Sequence, residues 1–157
     1  MTVSPVEALN ATFEKTHLWL MDLTADGHFV DDLQAYSGFC AVMHALRDRL
    51  QVDEAAHFAA QLPMLIRGMY YEGWKPAAVP IGERTLDDFL NHVRENLGRT
   101  TRIDAHMATR AVFRLLDEKI TLGEIQNIRC VLPAELRELW PPPAESAAHI
   151  AAGCVEP

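Results

Sequence analysis

Ala41-Val-Met-His-Ala-Leu-Arg-Asp-Arg-Leu50 returns 70 residues later as Ala111-Val-Phe-Arg-Leu-Leu-Asp-Glu-Lys-Ile120. The register then holds without a gap from Gln51–Tyr70 against Thr121–Trp140. Ala41, Val42, Leu46, Glu54, Leu62, Pro63 and Arg67 recur as Ala111, Val112, Leu116, Glu124, Leu132, Pro133 and Arg137. Leu50/Ile120, Asp48/Glu118, Arg49/Lys119, Phe58/Ile128 and Tyr70/Trp140 keep their chemical type. Self-similarity at one fixed offset is the mark of a single structural unit used twice. The expected fold is all-α, about eight helices in two similar four-helix halves that share one core and pack about an approximate two-fold axis. Residues 1–78 make the first half, 79–142 the second, and 143–157 a flexible C-terminal tail.

Working outward, Ser4 caps a first helix with Pro5 at its first position and Glu7 in its first turn. That helix reaches about Leu23, with Val6, Leu9, Phe13, Leu20 and Leu23 as one apolar stripe; Gly27 closes it. A second helix spans about 30–49, with Phe39, Val42, Met43, Leu46 and Leu50 inward and His44, Arg47 and Asp48 outward. A third starts near Val52 and ends before Pro63, with Ala55, Phe58, Ala59 and Leu62 inside. Proline cannot continue a helix ladder but can begin a new one. Leu62-Pro63 is therefore a corner into a short helix ending near Tyr71. Gly73, Pro76, Pro80 and Gly82 mark a loop between the halves. The second half opens at Thr85 with Asp87 and Asp88 in the first turn, and Leu97-Gly98 closes that helix. Asp104 caps the next. Thr121-Leu-Gly-Glu124 has the form of a capping box, and Pro133 repeats the corner. Pro141-Pro-Pro143 stops all helix. No run alternates with period two, so no strand is expected.

At 157 residues the chain can bury a sizeable core without metal or disulfide. Its net charge of -8 opposes non-specific binding to nucleic acid or an anionic membrane. Arg94, Arg99, Arg102, Arg110 and Arg114 cluster, but acidic residues interleave with them, which reads as a solvated face. The three cysteines, Cys40, Cys130 and Cys154, share no metal-site spacing and suit a reducing compartment. Met1-Thr-Val-Ser-Pro5 is no signal peptide, and no apolar run is long enough to span a membrane. The expected location is the cytoplasm.

Two constellations could carry chemistry. Glu14-Lys-Thr-His17 and Glu54-Ala-Ala-His57 are Glu-x-x-His motifs, which place carboxylate and imidazole on one helix face. Helical-bundle di-metal sites use two such motifs plus a Glu from each of two further helices. The metal reading therefore names Glu14, His17, Glu54 and His57 as ligands of di-iron, manganese or zinc. His17 falls within the stripe of Phe13 and Leu20 and should point inward. Against this, Glu54 pairs with Glu124 as a helix-start residue, and His57 pairs with Asn127, a poor ligand. The second constellation is Arg67, Tyr70, Tyr71, Glu72 and Trp74. Aromatic residues beside Arg suit an interaction surface; equally, they suit a core cap, since Tyr70 matches Trp140. Arg67 and Arg137 are placed to bond helix-end carbonyls. Met43, Met64 and Met69 fit core filling better than a groove. No nucleophile elbow and no glycine-rich phosphate loop is present.

Lys15-Thr-His-Leu-Trp-Leu20, Val42–Leu50, Ala59–Trp74, Gly123-Glu124 and Val131-Leu-Pro-Ala-Glu-Leu-Arg-Glu-Leu-Trp140 together resemble the bacterial domain-of-unknown-function family 2267. The resemblance covers roughly residues 10–142. It implies an all-helical protein of two similar halves and brings no activity, cofactor or catalytic residue.

The reading that results is a non-enzymatic cytoplasmic interaction or scaffold protein, with no cofactor and an unidentified protein partner or a second copy of itself. The alternative is a small-ligand or metal-binding bundle built on the Glu-x-x-His pairs. A helical nucleic-acid binder ranks third because of the acidic balance. Divergence at His57/Asn127 and His44/Arg114 places any site in the first half alone.

Overall fold

Nine of the 16 residues of helix α2 are buried, and the other helices are arranged around it. In a computed structural model, which describes residues 2–26, 28–99 and 102–140, α2 spans Asp32–Arg47. Ala35, Gly38, Phe39, Ala41, Val42, Met43, Ala45, Leu46 and Arg47 are all buried. A helix apolar on nearly every side must be covered on nearly every side. Four helices cover it: α1 (Pro5–Ala25), α4 (Met64–Tyr71), α5 (Leu86–Leu97) and α6 (Ala105–Lys119). Close approach needs small side chains. At Gly38 a Cβ would lie 2.6 Å from a ring carbon of Phe29, so the glycine is what lets that ring lie on the helix.

The remaining helices are α3 (Val52–Ala59), α7 (Leu122–Val131) and α8 (Ala134–Leu139), with a 3-10 turn at Pro76–Ala78. The described residues thus form eight α-helices and no strand, as expected. One continuous apolar cluster runs from Trp19 and Leu23 through Phe58 and Tyr70 to Phe113 and Trp140. No helix among the described residues is long and apolar enough to cross a membrane.

Local sequence explains most helix ends. Ser4 Oγ accepts from Glu7 N–H while Glu7 returns a bond to Ser4 N–H, a complete capping box. Asp31, Thr85 and Asp104 cap α2, α5 and α6 through their side chains. Gly98 closes α5 at φ 73, a conformation that favours glycine. Pro63 and Pro133 both adopt φ -54, ψ 150. Each stands one position ahead of its short helix, as the cap rather than the first helical residue.

Several expectations are corrected. Val6, Leu9 and Phe13 are exposed; α1 buries only Thr16, Trp19 and Leu23, with Leu20 half-buried against the core. The stripe is present, but Val6, Leu9 and Phe13 stay open to solvent even though α4 meets the helix at Thr12. Arg47, assigned to the outer face, is buried, because helices on all sides leave α2 no outer face there. Thr121 makes no side-chain cap bond, so the capping box with Glu124 does not form. Cys130 is disulfide-bonded, so the cysteines are not three free thiols; Cys40 is free. Gly27, Cys154 and the expected tail at 143–157 lie outside the described residues.

Candidate functional site

The residues between Arg67 and Trp74 form a wall, and its centre faces inward. Tyr70 is 0% exposed, and its hydroxyl donates to Ala55 O at 3.0 Å. Burial pushes its phenol well above the ordinary range. Tyr70 meets Tyr71 edge to face and Tyr71 meets Trp74 at a tilt, each pair at 5.3 Å centroid spacing, and Tyr71 and Trp74 pack half-buried on the core. Arg67 donates from Nε to Ala59 O at 3.0 Å and from Nη2 to Leu62 O at 3.0 Å. It satisfies carbonyls at the end of α3 that the Pro63 corner would leave unpaired. Arg137 does the same for Leu132 O at 2.8 Å. Tyr70 is therefore removed from the expected interaction surface: its ring is core, because α4 turns it between α2 and α3. Glu72 is exposed, and its carbonyl takes a bond from Arg47.

The Glu-x-x-His residues are divided. His17 is exposed on α1, which corrects its inward assignment; Thr16 and Trp19 take the buried face instead. Glu14 is exposed as well. Glu54 accepts from Gln51 N–H at 3.2 Å, the helix-start role weighed against metal binding. His57, with a side chain 69% exposed, lies 3.5 Å from buried Glu124 across the α3–α7 contact. These two border a groove of about 500 Å³ with Asp53, Glu54, Asn127 and Cys130. The structure thus brings Glu54 and His57 together with their offset partners Glu124 and Asn127, and not with Glu14 and His17. Among the described residues no group of three or more His, Cys, Asp or Glu side chains converges on one point.

Buried arginines are what the sequence reading missed. Arg47 donates through Nη1 to Tyr70 O at 2.7 Å and Glu72 O at 2.9 Å, and through Nε to Asp48 at 2.8 Å. Arg49 is 8% exposed. Its Nη1 bonds Ala45 O at 3.1 Å and His92 Nδ1 at 2.9 Å, and its carbon centre sits 4.8 Å above the Phe89 ring. Its Nε and Nη2 have no hydrogen-bond partner. A buried donor left so costs about 1–3 kcal/mol. Burial pulls the Arg49 guanidinium below its usual range, and burial with the Arg49 charge does the same to the His92 imidazole. The one legible signal is Arg49/Lys119, a basic residue kept at the offset of 70.

Arg49 lines a cavity of about 620 Å³ between the α2–α3 junction, the loop 80–84 and the Pro133 corner. Cys40 offers no nucleophile: burial pushes its thiol up to about 11, so it stays protonated near neutral pH.

Residues 16–139 match DUF2267, a family of uncharacterized conserved proteins. The chain belongs to the DUF2267 family. No curated protein matches it with significant similarity. Membership in DUF2267 assigns no reaction to any residue named above.

Proposed function

We propose that this DUF2267 protein is a non-enzymatic helical interaction protein that assembles with a second copy of itself through α1. The observation that carries this is Phe13, 65% exposed in a helix otherwise anchored on the core. Val3, Val6 and Leu9 are exposed with it at spacings of three and four. Leu65 N–H donates to Thr12 Oγ1 at 3.1 Å, which sets exposed Met64 and Leu65 against the same turn. Six large apolar side chains in one place amount to a patch on the order of several hundred Å², the scale that marks interaction sites. A self-complementary stripe suits a two-fold contact. In an antiparallel pair with its axis at the level of residue 11, Leu9 of each copy meets Phe13 of the other. Paired helices of this length, together with the α4 corner, can reach the roughly 800 Å² per partner of a stable interface.

The same reading takes the Leu-Pro corners as one helical unit used twice about an approximate two-fold axis. It is supported by helix starts at Val52 and Leu122, and at Met64 and Ala134, and by the equal dihedrals at Pro63 and Pro133.

Light scattering on size-separated protein tests the assembly. The expected result is a dimer in the wild type and a monomer of unchanged helicity for Leu9→Asp, Phe13→Asp. A wild type that is monomeric at every concentration, or a double variant that stays dimeric, overturns the reading.

A further inference from the structure

We propose that the cavity walled by Arg49, Arg84 and Arg137 is a binding site for a small oxyanion-bearing molecule, a phosphate or a carboxylate, whose oxygens take the place of Glu83 opposite Arg49. Three guanidiniums face two carboxylates, Glu54 and Glu83, around this cavity, although the whole chain carries a net charge of -8. Local positive excess against an acidic background concentrates anions there. The volume of about 620 Å³ suits a small molecule.

Arg49 is the decisive group. Its side chain is 2% exposed, and two of its nitrogens, Nε and Nη2, lack hydrogen-bond partners. Those two atoms form one edge of the planar fork that binds carboxylate or phosphate through parallel bonds. The other edge is committed: Nη1 holds Ala45 O and His92. The ring of Phe89 below and His92 beside it fix the plane. Glu83 approaches Nη2 at 3.8 Å, near enough to neutralise charge and too far for a hydrogen bond. The Glu83 side chain is 58% exposed, on a loop rather than a helix, so it can leave at little cost. Glu83 therefore acts as a stand-in anion. A ligand oxyanion that displaces it gains two charge-assisted bonds that Glu83 does not make. Glu54 is less able to compete, since it is held on Gln51 N–H. Arg137 is likewise committed through its Nε to Leu132 O and contributes charge more than new bonds. Nothing in this inference depends on the α1 interface.

The test follows the Arg49 Nε–Hε signal by nitrogen-15 NMR on the full chain, assigned by its absence in Arg49→Lys. Inorganic phosphate and acetate are added separately, with sodium chloride at matched ionic strength as control. Saturable movement with phosphate, acetate or both, in about the 1–10 mM range expected of so small an anion, supports the proposal, and the anion that saturates names the class. Glu83→Gln removes the stand-in and should tighten binding several-fold. Because that residue is exposed, the fold is expected to survive the change, so the result stands even where Arg49→Lys is unstable. Drift no greater than that with chloride, in both wild type and Glu83→Gln, overturns the site. So does saturable binding that leaves the Arg49 signal unmoved.

Discussion

The two Leu-Pro corners are built alike and finished differently. α4 ends beneath Tyr70 and α8 beneath Trp140, both fully buried. The carbonyl of each takes a bond from a buried guanidinium. For Tyr70 the donor is Arg47 on α2; for Trp140 it is Arg129 on α7. At the offset of 70, Asp117 holds the position of Arg47, and Ala59 holds that of Arg129. Asp117 accepts from the Trp140 indole N–H at 2.7 Å, where Tyr70 instead donates to a main-chain carbonyl. Burial raises the Asp117 carboxyl above its ordinary range, and the bond from Trp140 opposes that rise. Each corner must satisfy a buried carbonyl and a buried ring atom. The requirement stays in place, while the side chain that meets it moves from one helix to another.

The corners also differ in how fully they are satisfied. Arg47 uses Nε and Nη1 for three bonds, while Arg129 Nε has no hydrogen-bond partner. The largest expected effect is therefore at Arg47. Arg47→Ala should lose about 3–4 kcal/mol, since two carbonyls and Asp48 lose their partner. Arg129→Ala should lose about 2 kcal/mol. Urea unfolding midpoints give both, and a reversed order breaks the comparison.

Arg67 and Arg137 sharpen it on a smaller scale. Arg67 bonds Ala59 O and Leu62 O, and Arg137 bonds Leu132 O. We expect about 2 kcal/mol for Arg67→Ala and about 1 kcal/mol for Arg137→Ala by the same unfolding assay. Equal losses would mean that the bond to Ala59 O contributes nothing. Tyr70→Phe should cost about 1 kcal/mol, the worth of one hydroxyl bond; thermal melting measures it, and no change would make the Tyr70 ring alone sufficient for the slot.

The smallest effect is one of pH. His92 sits with Arg49 and Asp48, a cluster the second corner lacks: there Lys119 pairs with Asp22 at 2.6 Å. Burial, then the Arg49 charge, lowers the His92 imidazole below 6.5. A depressed histidine contributes stability that is present above its unfolded pKa and lost as pH falls through its folded pKa. Stability should therefore decline from about pH 6.5 downward, and His92→Gln should flatten that slope in melting temperature against pH. An unchanged slope would place the titration elsewhere.

Much of the fold was legible because its signals are local. Ser4, Asp31, Thr85 and Asp104 announce helix starts through bonds that span three residues. Pro63 and Pro133 force corners by lacking an N–H, and Arg67 and Arg137 follow at the distance from which a guanidinium reaches back. The candidate site was less legible. Glu54 and His57 are legible, and their neighbours Glu124 and Asn127 on α7 are their own partners at the offset of 70, but an offset relates two positions without saying that they touch. The stripe through Phe13 points His17 inward on spacing alone, yet both side chains are exposed, because no neighbour covers Phe13.

The sequence by itself determined that the chain is helical, where the helices begin and end, and that two Leu-Pro corners recur 70 residues apart. Those outcomes follow from backbone hydrogen bonding within a few residues. Only the tertiary structure decided which charges are buried. Arg47, Arg49 and Arg129 look like surface residues in the sequence, and each is enclosed because helices distant in the chain close over it. The reverse holds for Val6, Leu9 and Phe13, which are apolar and open to solvent. Burial is a property of what lies opposite a residue, and the chain's own periodicity fixes a face without fixing its neighbour.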